Sequence, residues 1–318
     1  MTKRLIAGAR IIDPSQKLDA VGDILIEDGR IASIVSKGAG KGPGRDGASG
    51  AQVIQARGLV ACPGFIDIHC HLREPGQEHK ETIATGTQAA ARGGFTTVCC
   101  MPNTSPAIDS VQVVEYVQRV AREQGAVRVY PIGAITKGRA GVELSEMAAL
   151  ASAGVVGFSD DGNAVADANL MRLALTYALD TGLPLMEHCE DSSLVAGGVM
   201  NEGWVATRLG LRGVPASSEE VLVARDIALA EQTGGRLHIC HISTAGAVEL
   251  VRRARDRGLR VTAEVTPHHL TMSDEWVAGA PDGAWSPLGP KAYDTSTRVN
   301  PPLRTRRDAE ALALALAE

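Results

Sequence analysis

Gly64-Phe65-Ile66-Asp67-Ile68-His69-Cys70-His71-Leu72-Arg73 is the stretch on which the fold turns. A short apolar run ends abruptly in side chains able to do chemistry. In an extended strand, residues two apart share a face, so His69 and His71 point one way and Cys70 the other. Two imidazoles on one side can hold a single Zn²⁺ at about 2.0–2.1 Å, although an isolated His-x-His is as readily a pair of ordinary surface or core histidines. Further along, the pattern recurs. Apolar runs at 155–159, 183–187 and 236–242 end in Ser159-Asp160-Asp161-Gly162, Glu187-His188-Cys189-Glu190 and Cys240-His241-Ile242-Ser243. Hydrogen-bonded core histidines and helix-capping aspartates account for one such strand end, but not for four.

Outward from these strand ends, the chain alternates strand-like and helix-like segments. Strand-like runs fall at 64–70, 96–101, 127–135, 155–159, 183–187, 236–242 and 260–265, with helical patterns at 81–92, 111–123, 144–153, 169–181, 218–233 and 245–257. A last amphipathic helix is expected at 308–317. This alternation predicts an α/β fold with parallel strands and outer helices. No GxGxxG or Walker loop follows the first strand, so an open nucleotide-binding sheet has no support. Polar residues at the C-terminal ends of several strands are what a (β/α)8 TIM-type barrel gathers into an active site.

Before residue 59 the rhythm differs. Ile24-Leu25-Ile26-Glu27-Asp28-Gly29-Arg30-Ile31 reads as two strands around a tight Asp-Gly turn, and 53–59 as another short strand. Residues 37–51, dense in glycine, are expected to form a mobile surface loop. We therefore expect a small β module over 1–58 and the barrel over 59–318.

Composition excludes several function classes. Of 318 residues, 44% are hydrophobic and 22% charged, the ordinary balance of a globular chain. A net charge of −5 gives no reason to expect nucleic acid or an anionic membrane as partner. No apolar run approaches the roughly 20 residues of a membrane span, and the short polar start is no signal peptide, so a cytoplasmic protein is expected. Cys62, Cys70, Cys99, Cys100, Cys189 and Cys240 lie beside apolar runs without a CxxC pair and are expected to be buried, reduced thiols.

Four histidines and an aspartate exceed the three protein ligands of a typical single catalytic zinc. Two divalent ions about 3.5–4 Å apart can share a carboxylate and deliver a nucleophile to a polarised carbonyl. Nitrogen-rich ligation favours zinc.

Taken with Met101-Pro102-Asn103-Thr104, Phe158-Ser159-Asp160-Asp161-Gly162, Thr266-Pro267-His268-His269-Leu270 and Asn300-Pro301-Pro302-Leu303-Arg304, the first motif resembles the class I dihydroorotases of the amidohydrolase superfamily. The likeness runs over essentially the whole chain. It implies a distorted (β/α)8 barrel beside a small N-terminal β-sandwich module, and two Zn²⁺ ions. His69 and His71 would bind the first, His188 and His241 the second, and Asp161 would bridge them. Asp160 is the rival for that bridge; the family uses the position just before the glycine. The implied reaction is reversible hydrolysis of (S)-dihydroorotate to N-carbamoyl-L-aspartate in pyrimidine biosynthesis, by a metal-bridging hydroxide. Arg73 would grip the substrate carboxylate, for which a guanidinium fork is suited. Asn103 would assist it, and Asn300 would contact the ring. His268 and His269 carry no assigned role.

Hydantoinases and allantoinases are the nearest rivals. Many bridge their metals through a carboxylated lysine on strand four, whereas here Lys137 ends strand three and the next lysine is Lys291. A non-catalytic partner of aspartate carbamoyltransferase is a second alternative, but such chains usually lack metal ligands. A homodimer or an association with that transferase is the expected assembly. The family also uses an aspartate at the end of strand eight, as ligand and acid/base, which would lie beyond Glu318. A barrel without strand eight leaves two open edges. A chain ending there is expected to be unstable and weakly active, and the sequence to be an incomplete record of a longer protein.

Overall fold

The structure is a computed structural model and describes residues 2–36, 48–279 and 291–317. Residues 37–47 of the expected glycine-rich loop lie outside the described residues. The chain divides into two compact units, Met1–Phe65 and Ile66–Glu318.

In the first unit, β1 (Lys3–Asp13), β2 (Leu18–Glu27), β3 (Arg30–Ser36), β4 (Gln52–Gln55) and β5 (Val60–Ala61) form one sheet. Its order is β3-β2-β1-β4, with β5 also on β1. β1–β2 and β2–β3 pair antiparallel, while β4 and β5 join β1 in parallel. The Asp28-Gly29 turn joins β2 to β3 with φ of 49° and 78°, the left-handed pair that a two-residue hairpin needs. A register slip between Ile6 and Ala9, with Gly8 at φ +76°, inserts a bulge into β1. The bulge flips side-chain parity. Leu5 and Ala7 therefore pack in one cluster with Leu25, while Ile6, Ala9 and Ile11 pack in another with Ile24 and Ala56.

The second unit opens with β6 (Phe65–Cys70), α1 (Ile83–Arg92), β7 (Phe95–Cys100), α2 (Val111–Gln124), β8 (Arg128–Pro131) and α3 (Met147–Ala153). α4 (Ala168–Thr181), β9 (Leu185–Glu187), α5 (Ser192–Val195), β10 (Met200–Asn201), α6 (Trp204–Leu209) and β11 (Gly213–Val214) follow. The unit continues through α7 (Ser217–Thr233), β12 (Leu237–Ile239), α8 (Ala245–Asp256), β13 (Val261–Ala263), α9 (Pro267–Thr271) and α10 (Arg306–Ala315).

The run expected as a strand at 155–159 departs from that reading. It narrows to Phe158, which bridges Gly133 on one side and Leu185 on the other, both in parallel. Gly154 in the left-handed region ends α3 immediately before it, and the polar Ser159-Asp160-Asp161 turn follows. Little length remains for a ladder. Through that residue the ladder β6-β7-β8 is joined to β9-β12-β13, so the parallel segments follow one another in chain order. Phe158 is fully buried.

Alternation along β7 shows two packed faces, as parallel strands covered on both sides require. Val98 and Cys100 join the large cluster with the helices, while Cys99 and Met101 pack on the other side with Ile132, Met186 and Cys240. Helix ends are set by local signals: Thr82 with Thr85 and Thr305 with Asp308 form capping boxes at α1 and α10, and Gly182 and Gly234 end α4 and α7. The cysteines are free thiols; Cys99, Cys100, Cys189 and Cys240 are buried and Cys70 partly so. Cys62 is exposed, contrary to expectation, because it sits in the link just after β5. Among the described residues no helix is long and apolar enough to cross a membrane.

Candidate metal centre

Each chemically able residue sits where a strand stops. His69 is the last residue but one of β6 and His71 lies just past it; His188 follows β9, and His241 lies two residues past β12. Asp161 is three residues past the Phe158 bridge. Strands of one parallel array end on one side, so side chains more than 170 residues apart in sequence meet there.

Asp161 is the hub. Its Oδ1 lies 3.4 Å from His69 Nε2, 3.7 Å from His188 Nδ1 and 3.2 Å from His241 Nε2. Its Oδ2 lies 3.6 Å from His71 Nε2 and accepts a 3.4 Å contact from Asn103 Nδ2. Asp160 points elsewhere. It accepts from the Ile135 and Thr136 backbone N–H groups at 2.9 and 3.1 Å and from the Thr136 hydroxyl, and none of the four imidazoles. Two adjacent aspartates thus separate into a carboxylate that holds a neighbouring loop and one that faces the histidines.

The electrostatics suit a cation. Burial raises the Asp161 carboxyl, but hydrogen bonds from His188, His241 and His69 outweigh it and hold the group far below the usual range. Burial lowers His69, yet bonds to Asp161 and Glu264 lift it to about 10. Burial also opposes His188, which the Asp161 and Glu190 carboxylates, 3.7 and 3.8 Å from its ring nitrogens, raise to about 9. His71 and His241 are held low, first by burial. Protons gather where positive charge is favoured, and a metal ion would compete for the same lone pairs.

The donors fit a nitrogen-preferring divalent metal. His188 Nδ1 and His241 Nε2 are 3.0 Å apart and face the same carboxylate. Two imidazole nitrogens so close, both aimed at an anion, are accommodated by a shared proton or by an ion. His69, Asp161 and His241 offer three ligand atoms within 4.8 Å of one another. Among the described residues, the buried His188 Nε2 and His241 Nδ1 have no hydrogen-bond partner. His241 also adopts φ +34°, an unusual conformation for a non-glycine residue that turns its ring back over the strand ends.

The other expected residues surround this cluster. Arg73 has φ +62° in a tight turn closed by Glu74 N–H on Leu72 O at 2.7 Å, and its charge acts on His71. Gly76 must be glycine, since a Cβ there would fall 1.8 Å from Ser105 O. Asn103 Oδ1 meets His71 Nδ1 at 3.0 Å, so this side chain contacts a histidine directly. Asn300 is exposed and, after His188, helps hold the Glu190 carboxyl below its usual range; Glu190 lies 3.8 Å from His188 Nε2. His269 is buried; its Nε2 donates to Pro301 O at 3.0 Å, and Nδ1 meets the Thr266 hydroxyl at 2.7 Å. It ties α9 to the Asn300-Pro301 segment. Lys137 pairs with Glu143 on the surface, away from Asp161.

Residues 58–247 match a family model described as dihydro-orotase-like. The dihydroorotase of Pelotomaculum thermopropionicum is 52% identical over 316 residues, covering 99% of this chain and 69% of that one. The chain belongs to the dihydroorotase-like family. Membership makes it a hydrolase. The dihydroorotase of Anaeromyxobacter dehalogenans is 50% identical over 313 residues, 98% of this chain and 68% of that protein. The L-hydantoinase (dihydropyrimidinase) of Arthrobacter aurescens superposes with a TM-score of 0.78 at 20% identity, over 98% of this chain and 66% of that one. At that identity the likeness concerns the fold alone. The chain spans about two-thirds of the length of the proteins it matches.

Sequence reasoning missed Glu264 and His238. Glu264 contacts His69 Nδ1 and lies near His238 Nε2. It ends the seventh apolar run, as His69, Asp161, His188 and His241 end theirs, so the same criterion applied once more would have found it.

Proposed function

We propose that the chain forms the metal-binding core of a dihydroorotase, which hydrolyses (S)-dihydroorotate reversibly to N-carbamoyl-L-aspartate. The observation that carries this reading is the convergence of four imidazoles on the Asp161 carboxylate, in a chain about half identical to proteins named dihydroorotase. Residues 59–318 are read as the β/α barrel and 1–58 as part of a β-sandwich module. His69 and His71 would hold one zinc ion and His188 and His241 a second, with Asp161 shared. Such ions supply a nucleophile from water near neutral pH and polarise a carbonyl.

The remaining roles fall to side chains of this protein. Arg73, beside His71, orients the substrate carboxylate through paired hydrogen bonds. Asn103 holds His71 by its Oδ1 and reaches Asp161 by its Nδ2, so it both steadies the cluster and borders the substrate. Asn300, on the side of Glu190, would contact the ring. Positioning of this kind turns a slow solvent reaction into an intramolecular one.

The test combines metal content with turnover of dihydroorotate followed by its ultraviolet absorbance. Wild type should take up two equivalents of zinc, and His188→Ala one, with nearly all turnover lost. Full activity in His188→Ala, or hydrolysis of hydantoin in preference to dihydroorotate, would overturn the assignment.

A further inference from the structure

We propose that Glu264 is a positioning residue of the metal centre, fixing the His69 ring and the His241 backbone through one carboxylate that His238 braces from behind. The inference deepens the metal-binding reading above and rests on it.

Glu264 follows β13, and β13 is not a ladder neighbour of β6. Even so, its Oε1 accepts from His69 Nδ1 and, at 3.3 Å, from the backbone N–H of His241. One oxygen therefore touches two of the five candidate ligands, which come from different strands. Its Oε2 lies 3.3 Å from His238 Nε2. His238 is itself held, because its Nδ1 is 2.8 Å from the hydroxyl of Thr262, its register partner on β13. The result is a chain of contacts from Thr262 through His238 and Glu264 to His69 and Asp161.

A neutral imidazole has one N–H and one lone pair. When Glu264 takes the Nδ1 proton of His69 as a hydrogen bond, the lone pair is left on Nε2, the nitrogen facing Asp161. The carboxylate also stops the ring from turning about its long axis and makes Nε2 a stronger donor to a cation. Asn103 does the same to His71 with a neutral oxygen. His69 is thereby the more strongly polarised of the pair. A role for Glu264 as a ligand is the competing arrangement, since His69, Cys240 and Glu264 also lie within ligand distance of one another. Both contacts of Oε1 are with ring or backbone nitrogens, so the oxygen that faces His69 is already occupied, while Oε2 lies on the side of His238, 3.3 Å from its Nε2.

The experiment compares wild type with E264Q, E264D and H238N. Zinc affinity is measured by competition with a chelator, stoichiometry at saturating zinc, and the visible spectrum after cobalt(II) substitution; crystal structures of metal-free wild type and E264Q report the His69 ring. Loss of such an outer carboxylate typically weakens metal binding by about 10- to 100-fold. E264Q should fall in that range with unchanged stoichiometry, a shifted cobalt spectrum and a rotated His69 ring. E264D should recover part of the affinity, and H238N should lose less than E264Q. Wild-type affinity and spectrum in E264Q would overturn the proposal, as would loss of one zinc equivalent at saturation, which would make Glu264 a ligand. Should wild type bind no metal, the metal-centre reading fails, while the His69 ring in the two metal-free structures still decides the role of Glu264.

Discussion

Replacing Glu219 with alanine should destabilise the protein by about 4 kcal/mol, although this residue touches none of the candidate ligands. Glu219 lies in the first turn of α7 and is buried. Its carboxylate accepts from Ser243 N–H at 3.0 and 3.1 Å, from Thr244 N–H and the Thr244 hydroxyl at 3.0 Å each, and from the Ser243 hydroxyl. The Ser243 hydroxyl accepts from Arg304 Nε at 3.0 Å, and Arg304 Nη1 reaches Asn201 Oδ1 at 3.1 Å and Val214 O at 2.7 Å. Alanine would strand two backbone N–H groups, at about 1–3 kcal/mol each. It would also remove the anion that most offsets the burial of the Arg304 guanidinium. Breaking a buried charge pair outright costs about 3–5 kcal/mol; here a hydroxyl intervenes, so only a fraction applies. Glu219→Gln keeps one acceptor and should lose about half as much. Urea unfolding at pH 7 reads the effect as a lower midpoint at constant slope. A loss below about 1 kcal/mol in Glu219→Ala would show that water or a rotated loop satisfies these donors, and that the network does not hold the His241 loop in place.

Further outcomes follow from other contacts. Asp161→Asn should weaken zinc binding at least about 100-fold. Asp160→Asn should change it little but lower stability by about 1–3 kcal/mol, since an amide that keeps its oxygen on the Ile135 and Thr136 N–H groups turns its NH₂ toward the Thr136 hydroxyl that now donates to Oδ2; chelator competition and urea midpoints separate the two. His269 is held neutral, mainly by burial, with its pKa lowered to about 4. The unfolded chain, near 6.5, binds the proton first, so stability contributed by neutral His269 is present above pH 6.5 and is lost as pH falls toward 4. The loss should reach about 3 kcal/mol, and unfolding of His269→Gln across pH 4–7 should lack that part of the slope. Phe158→Ala should lose about 3–5 kcal/mol in thermal or urea unfolding, because the ring is fully buried at the residue that joins the two ladders.

Much of the site was legible because it depends on a local rule. Strand parity puts His69 and His71 on one face, and a strand that stops leaves its last polar side chain at the end of the array. That logic needs only neighbouring residues. It failed at Phe158, where the apolar run promised a strand, but glycine before it and two aspartates after it left a single bridge. The rule reaches Glu264 at the end of its own run as well, but what that carboxylate does depends on His69, 195 positions away.

By itself the sequence determined the alternation of strands and helices, the list of strand-end donors and the Asp28-Gly29 hairpin, because periodicity, polarity and turn chemistry act over a few residues. Only the tertiary structure decided between Asp160 and Asp161 in facing the histidines. The two carboxylates are adjacent and chemically identical, and the difference lies in what surrounds each: backbone donors of residues 135 and 136 for one, imidazoles from three other strands for the other. Which nitrogen of each ring faces inward was likewise set by partners distant in the chain. A hydrogen bond selects a tautomer, and the chain must fold before that partner exists.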